Sequence, residues 1–406
     1  MLTKKQLFNY SALALPLAFV GLPIYINAPD LYIVHFGLSL KTIGLSLLAL
    51  RVFDAIQDPI IGKISDKLHN YRYFIIILGL LMLISGFYML FNPVYKSVPW
   101  FAISVLVSTT GYSIANINYQ ALGGLWIVRT QERTTVTTCR ELCGLIGVLL
   151  ATTIPGYLSK SMGIEDAYLS ISAILLALII IAASALYLWK NNINLENTLN
   201  NTKTIKIFDA WNVAFFSTFF INSLAAAIPA VLVLFFVRDV LHAETEAGKF
   251  LFLYFISGAI AMPIWHKISG KIGKIKTWFY SMIIAISSFF WAFYLTPGQT
   301  NEYAIICILS GIAVGADLTL PAAIIADRLE KIAAFDCASR YFAGLNLFNK
   351  LALAGATGIT LPTLANFGYT PGSTYKVEYL SYAYALIPII FKLMAATSLS
   401  YLFKQK

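Results

Sequence analysis

The chain has 406 residues, of which 59% are hydrophobic and 12% charged, and its formal net charge is +10. Because ordinary soluble domains carry about 25% charged residues, this composition excludes a soluble two-domain enzyme, a secreted disulfide scaffold and a disordered tail protein. The basic residues are scattered through short polar segments, with no patch beside aromatic residues, so we expect no nucleic-acid partner.

Long apolar runs recur from one end of the chain to the other. Each contains about 20 residues, which is enough to cross a bilayer as one helix, whereas the strands of a membrane barrel alternate over about 10 residues. We therefore predict an all-α integral membrane protein. The twelve predicted spans are 8–33, 38–62, 73–92, 99–127, 140–158, 167–189, 208–237, 248–267, 276–296, 303–326, 341–365 and 379–402.

One polar segment divides these spans into two sets of six. It covers residues 191–206, has the sequence NNINLENTLNNTKTIK, and contains no apolar run. We predict an N-terminal six-helix bundle over residues 1–190, a cytoplasmic linker over 191–206 and a C-terminal six-helix bundle over 207–406.

The distribution of Lys and Arg predicts the orientation, because cytoplasmic loops of membrane proteins are enriched in both. With twelve spans and a cytoplasmic N-terminus, 20 of the 29 Lys and Arg residues fall in cytoplasmic segments and only six in outer loops. We therefore expect both termini in the cytoplasm, and a location in the bacterial inner (cytoplasmic) membrane.

The sequence offers little for catalysis or metal chemistry. Its four Cys and four His residues lack the spacing of a converging metal-ligand set. The longest loop, 191–206, holds one acidic residue, Glu196. We expect no cofactor, and a membrane-embedded enzyme is only a remote alternative.

Three ionisable residues lie deep inside the second predicted span, where a charge is costly and usually functional. Arg51, Asp54 and Asp58 are spaced i, i+3 and i+7, which places them on one face of a helix with Gln57 beside them. One Asp would be enough for an ion pair with Arg51, so the second Asp predicts a site for Na⁺ or a proton, with Gln57 as a further ligand. The alternative is an ion pair that only locks two helices together.

Further polar residues within the spans predict the rest of the site. Ser113, Asn116 and Gln120 repeat the same spacing in the fourth span and can complete a cation shell or bind a solute; interhelical hydrogen bonding alone is the alternative. Lys392 in the last span is long enough to snorkel toward the membrane surface, and we make no prediction for it. The other candidate solute ligands are Arg51, Tyr119, Asn222, Asn346, Lys350 and Arg140. Arg140 has a competing interpretation as an ion pair with Glu141 or Glu132.

The second span also carries a family signature. The run RVFDAIQDPIIG at 51–62, followed by Asp66, resembles the second helix of the glycoside–pentoside–hexuronide cation symporters, the melibiose-carrier branch of the major facilitator superfamily. Other stretches that resemble this family are Glu132-Arg133-Thr134 with Arg140, residues 263–265 with 270–274, and GIAVGADLTLPAAIIAD at 311–327.

The resemblance implies the major facilitator fold, in which two six-helix bundles give alternating access to a central solute site. The melibiose carrier has an aspartate where this chain has Asn116, and a tryptophan where it has Gln120. The positions that match the family's cation site are Asp54, Asp58 and Ser113, and those that match its solute site or its eleventh-helix lysine are Asn116, Gln120, Arg140 and Lys350.

Together, these residues predict a cation-coupled symporter of a small organic solute, for which a sugar or glycoside is the first expectation. The alternative is an H⁺-coupled major facilitator carrier for a non-sugar, anionic solute, because Arg51, Arg140 and Lys350 outnumber Asp54 and Asp58. We expect a monomer whose partners are the solute, the coupling cation and the lipid bilayer.

Overall fold

The protein is described by a computed structural model that covers residues 3–126, 130–191, 209–369, 372 and 376–404; for residues 40, 130, 131, 160, 164, 165 and 401–404 only the backbone is described. Twelve long helices make up most of these ranges. They are α1 (Lys4–His35), α2 (Leu40–Lys67), α3 (Arg72–Phe91), α4 (Val98–Gly124), α5 (Thr130–Met162), α6 (Ile164–Lys190), α7 (Ala210–Val240), α8 (Ala247–Ile272), α9 (Lys274–Ala292), α10 (Thr300–Lys331), α11 (Ala338–Asn366) and α12 (Val377–Ser400).

The predicted all-α membrane fold is confirmed in the described ranges. Ten of the twelve helices are long and apolar enough to cross a membrane. The other two, α2 and α11, have 28 and 29 residues and carry more polar side chains. These two helices hold half of the twelve predicted site residues, including Asp54, Asp58 and Lys350.

The chain forms two compact units. The first comprises Met1–Thr202 and Ile325–Asn346, and the second comprises Lys203–Ile324 and Leu347–Lys406. The last turns of α10 and the first turns of α11 therefore belong to the first unit. The division into bundles at 1–190 and 207–406 stays a prediction, and the predicted linker, apart from Asn191, lies outside the described residues.

Glycines allow two helices of the first unit, α3 and α4, to approach closely. A Cβ atom at Gly79 of α3 would lie 2.7 Å from the backbone nitrogen of Ala115, and one at Gly111 of α4 would lie 2.8 Å from the Cβ of Met82. Small residues at such contacts let membrane helices pack backbone against backbone. This close pair holds α4, which carries Ser113 and Asn116, in a fixed position.

The first unit also fastens α2 to the start of α11. The buried carboxylate of Asp66, near the end of α2, accepts hydrogen bonds from the backbone nitrogens of Ser339 and Arg340, at 2.8 and 3.2 Å. It also pairs with the guanidinium groups of Arg340 at 2.9 Å and Arg72 at 3.1 Å. A carboxylate at a helix N-terminus satisfies N–H groups that lack partners within the helix, so Asp66 caps α11 from a distant part of the chain.

The second unit has an aromatic core where α7 and α12 each contain a π-helical turn, Phe236–Val240 and Tyr382–Leu386. The rings of Phe236 and Tyr384, one from each turn, stack at 4.1 Å. The hydroxyl of Tyr384 lies 2.7 Å from that of Tyr303 on α10. Aromatic stacking of this kind stabilises a pair beyond its buried area, so these turns are fixed against α10.

Candidate functional site

The predicted face of α2 carries a buried carboxylate cluster. Asp54 and Asp58 are 4% and 0% exposed, and Gln57 is also buried, whereas Phe53 and Ile56 on the other side are exposed. The i, i+3, i+7 spacing therefore predicted which side of this helix is enclosed. Asp54 and Asp58 are one helical turn apart on that side.

Asp54 is bound by neutral side chains from two helices. Its Oδ1 atom accepts hydrogen bonds from Gln57 Nε2 at 2.8 Å and from Ser113 Oγ on α4 at 3.2 Å. The Oε1 atom of Gln57 in turn accepts a hydrogen bond from Thr110 at 2.9 Å. The structure thus brings together three of the four predicted cation ligands and adds Thr110, which the sequence analysis did not single out.

The oxygen atoms of this cluster suit a hard cation. Carboxylate, amide carbonyl and hydroxyl oxygens are the ligands that such ions prefer, and rotation of the Ser113 and Thr110 hydroxyls exposes their lone pairs to an ion. The guanidinium of Arg51 lies 4.6 Å from the ring centroid of Tyr25 on α1. This cation–π contact packs the side chain of Arg51, which lies on the same helix as the two carboxylates, against α1.

Three amide side chains form a second polar group, which we call the amide row; two of them lie on α4 and one on α11. Gln120 Nε2 donates to Asn116 Oδ1 at 3.1 Å and to Asn346 Oδ1 on α11 at 3.4 Å. Asn116 Nδ2 donates to the hydroxyl of Tyr112 at 3.4 Å. Three predicted solute ligands therefore lie together in the first unit, where their amides can donate to and accept from a hydroxyl-rich solute.

Arg140 lies deeper in its helix than the sequence analysis placed it. The fifth span was predicted to start at 140, but α5 begins at Thr130, so Arg140 is in the third turn. Its side chain is 7% exposed, and its Nε and Nη2 atoms contact Glu141 Oε1 at 3.0 and 2.5 Å. The structure thus contains the competing ion pair with Glu141. Arg140 can contact a solute only while its guanidinium is also paired with Glu141.

Tyr119 was predicted as a solute ligand, but the structure places it in the packed core. Its hydroxyl donates to the backbone oxygen of Tyr10 at 2.9 Å, and the two rings lie 4.7 Å apart. The hydroxyl of Tyr10 donates in return to the backbone oxygen of Tyr119 at 3.1 Å. Trp126 and Trp189 complete this aromatic cluster, so Tyr119 holds α4 against α1.

The second unit contains a polar cluster of its own, built around Asp317 of α10. Asn222 Nδ2 and Trp278 Nε1 donate to Asp317 Oδ1 at 3.0 and 2.8 Å. Lys392 Nζ lies 2.7 Å from both Asp317 Oδ2 and Asn222 Oδ1. Asn222 was a predicted solute ligand, and the structure surrounds it with charged partners from α10 and α12.

Lys392, for which the sequence analysis made no prediction, does not extend toward the membrane surface. It is 2% exposed and forms a buried ion pair with Asp317. The signal was a lysine in the middle of an apolar span with a matching aspartate in another span. Lys350 lies on α11 in the second unit, and its role as a solute ligand stays a prediction.

A protein-family profile described as MFS/sugar transport protein matches residues 7–404. The chain belongs to this family. Its members are transporters of the major facilitator superfamily and not enzymes, so the predicted superfamily and the prediction that the chain is not an enzyme are confirmed.

Individual relatives of this family member are distant. The chain is 24% identical over 316 residues to the uncharacterized symporter YnaJ of Bacillus subtilis (strain 168), which covers 70% of this chain and 65% of that protein. It is 28% identical over 170 residues to the MFS-type transporter SLC18B1 of Rattus norvegicus, which covers 39% and 36%. The chain thus matches less than two thirds of the length of either relative.

Solved structures support the fold. A bacterial homologue of the iron transporter ferroportin, in an outward-facing state, has a TM-score of 0.72 at 15% identity, with 98% of both chains covered. The Escherichia coli fucose:proton symporter has a TM-score of 0.67 at 12% identity, with 96% of this chain and 97% of that chain covered. At these identities the likeness shows the major facilitator fold and no more.

Proposed function

We propose that this family member is a cation-coupled symporter that moves a small organic solute, a sugar or glycoside, by alternating access. The observation that carries the proposal is the enclosed pair Asp54 and Asp58, with Ser113 and Gln57 donating to the first of them. The similarity of this chain to a protein named as an uncharacterized symporter supports the proposal. Within the superfamily we assign the chain to the glycoside–pentoside–hexuronide branch, on the α2 signature.

The paired carboxylates explain why a cation would be needed for transport. Two negative charges one helical turn apart repel each other, and the repulsion is strong where little water screens it. A bound Na⁺ or proton cancels one of these charges. The cation therefore lowers the free energy of the state in which this face of α2 is closed, and transport becomes coupled to the cation gradient.

The solute would be held by the amide row. Asn116, Gln120 and Asn346 offer both donors and acceptors, which suits the hydroxyl groups of a sugar. Arg51 is one turn before Asp54, so neutralising the carboxylates changes the field at Arg51 as well. Arg140 contributes in this scheme through the Arg140–Glu141 pair, which presents a guanidinium and a carboxylate to neighbouring hydroxyls.

An H⁺-coupled carrier for an anionic solute is the second candidate. This candidate was suggested by an excess of positive charge within the predicted spans, and the ion pairs in the structure weaken that argument. The ion pairs Arg140–Glu141 and Lys392–Asp317 each add a carboxylate beside a cation. The deep cations and deep carboxylates are then equal in number: Arg51, Arg140, Lys350 and Lys392 against Asp54, Asp58, Glu141 and Asp317.

The proposal includes the setting in the membrane. The excess of Lys and Arg in alternate loops supports cytoplasmic termini and a bacterial inner-membrane location. We further propose that one chain is the working unit, since each predicted ligand of the cation site is supplied by α2 or α4 of the same chain.

A stability screen tests the function. The purified protein is heated in detergent with sugars, glycosides, organic acids or nucleosides, each in NaCl and in choline chloride. We expect a sugar or glycoside to raise the unfolding temperature, and to do so more in NaCl or at lower pH, because a ligand that binds only the folded state stabilises it. Stabilisation by an organic acid alone, with no response to cation or pH, would favour a uniporter or an anion carrier.

A further inference from the structure

The second unit contains a cavity that the proposed cation and solute sites do not use. It has a volume of about 160 Å³ and lies among α7, α8, α9, α10 and α12. Six of its 18 lining residues are aromatic: Phe250, Tyr254, Phe255, Phe289, Tyr303 and Tyr384. A cavity of about 150 Å³ with apolar walls is large enough to hold benzene, so the space fits one small ring.

Two charged residues, Asp317 and Lys392, also line this cavity. Asp317 is well supplied with donors, because Asn222 and Trp278 donate to Oδ1 and Lys392 donates to Oδ2. Lys392 differs. Among the residues that the structure describes, two acceptors lie within hydrogen-bond distance of Nζ, and an ammonium has three N–H groups.

We propose that this cavity, the Lys392 pocket, binds a small uncharged aromatic or alicyclic molecule with a hydroxyl or carbonyl group at one end. The apolar body fills the space between the aromatic side chains, and the oxygen accepts the third N–H of Lys392. This hydrogen bond comes from a charged donor, which makes it stronger than a neutral one.

The charge of the pocket selects against ionic ligands. A carboxylate ligand would lie beside Asp317 as well as Lys392, and two carboxylates close together in an apolar site repel each other strongly. An organic ammonium would have to displace Lys392 from Asp317, leaving one of two cations without its counter-charge. A neutral oxygen avoids both costs, and the ion pair stays intact.

The pocket lies wholly within the second unit, so a test of it does not depend on the cation site of the first unit. The probe is radiolabelled benzyl alcohol, measured by equilibrium dialysis against the full-length protein in detergent, with protein-free micelles as the blank. We expect saturable binding of one molecule per chain. Benzylamine and benzoate should compete roughly tenfold less well or worse, as expected when a hydrogen bond from a charged donor is not gained.

Two variants fill the pocket and one matched variant controls for the substitution itself. Ser310→Phe fills it from α10 and Ala230→Trp fills it from α7, so one remains informative if the other does not fold. Ser85→Phe places the same side chain in a cavity of the first unit. We expect the pocket-filling variants to lose saturable binding and Ser85→Phe to keep it.

The ion pair is removed as a unit by Lys392→Met with Asp317→Asn, which leaves no lone buried charge. This double variant should bind benzyl alcohol roughly tenfold more weakly. Any of three results would overturn the proposal. The binding is not saturable, or it survives in a folded variant whose pocket is filled, or benzylamine or benzoate competes for it as well as unlabelled benzyl alcohol does.

Discussion

Arg340 donates its Nε–H to Asp66 at 2.9 Å, although 274 residues separate them along the chain. The carboxylate also accepts from two backbone N–H groups at the start of α11 and from the guanidinium of Arg72. All of these donors are in the first unit. One aspartate near the end of α2 therefore holds the beginning of the eleventh helix.

The first prediction concerns this carboxylate. Asp66→Asn leaves the buried Arg72 without its counter-charge, and breaking a buried pair in this way costs about 3–5 kcal/mol. We expect a clear fall in the unfolding temperature of the purified protein. Asp166→Asn, an exposed aspartate at the start of α6, serves as the control and should change it little. Equal effects of the two variants would show that Asp66 is not a fixed anchor.

Cys337 reports on the same region. It is buried just before α11, and Arg340 Nη2 lies 3.0 Å from its sulfur. Burial raises the pKa of the Cys337 thiol above its ordinary value, more than the nearby Arg340 lowers it. Because the thiolate is the reactive form, alkylation by N-ethylmaleimide should be slow at pH 8 and should keep accelerating above the pH at which an exposed thiol levels off.

That labelling is measured in a variant whose other cysteines, Cys139, Cys143 and Cys307, are replaced by Ala. Adding Asp66→Asn should speed the reaction several-fold, since it loosens the start of α11. Rapid labelling of Cys337 at pH 8 without that change would contradict its burial.

Helix packing gives the third prediction. Gly79→Ala introduces a Cβ that would lie 2.7 Å from the backbone of Ala115, so α3 and α4 must separate. Overpacking of this kind costs about 1–3 kcal/mol. The matched control is Gly156→Ala on α5, where no atom lies within 4 Å of the added Cβ. Thermal unfolding should show a loss in the first variant and none in the second; a reversed order would rule out the tight α3–α4 contact.

Much of the fold could be predicted from the sequence because membrane insertion depends on apolar length. Twelve apolar runs were expected, and the described part of the chain contains twelve long helices. The boundaries were harder to predict. The first turns of α5 are polar, so hydropathy placed the helix start at 140 instead of Thr130 and put Arg140 at the membrane edge.

The candidate site divides in the same way. The face shared by Asp54 and Asp58 follows from helix periodicity, which is local. The pair Lys392 and Asp317 joins residues 75 positions apart, and no local pattern indicates which helices will touch. For Tyr119 the local pattern was misleading. Its position next to Gln120 in the sequence suggested a place in the solute site, but its ring packs against Tyr10.

Arg140 gives a fourth prediction. Two of its guanidinium nitrogens contact Glu141, and a lysine ammonium cannot reproduce this geometry. Arg140→Lys should lower the affinity for the solute found in the stability screen by about tenfold or more, which corresponds to about 1.4 kcal/mol. Lys350→Arg should have a milder effect, because a point charge has less geometry to lose. Equilibrium binding measures both.

The control for Arg140 is Glu141→Gln, which removes the ion pair and keeps the guanidinium. If Arg140 contacts the solute, Arg140→Lys weakens binding more than Glu141→Gln does. If both variants lower only the unfolding temperature and leave affinity unchanged, the pair is purely structural, and Asn116 and Gln120 become the main solute ligands.

The cation site is tested most directly by the response of the protein to the cation alone. The unfolding temperature of the wild type is compared with that of Asp58→Asn and of the Asp166→Asn control, in NaCl and in choline chloride of equal ionic strength, at pH 8 and pH 6. A cation at 100 times its dissociation constant stabilises the folded state by about 2.7 kcal/mol. We predict that Na⁺ at pH 8, or acidification if the proton is the coupling ion, stabilises the wild type and the control but not Asp58→Asn. An undiminished response in Asp58→Asn, or no response in the wild type, would contradict a cation site at Asp54 and Asp58.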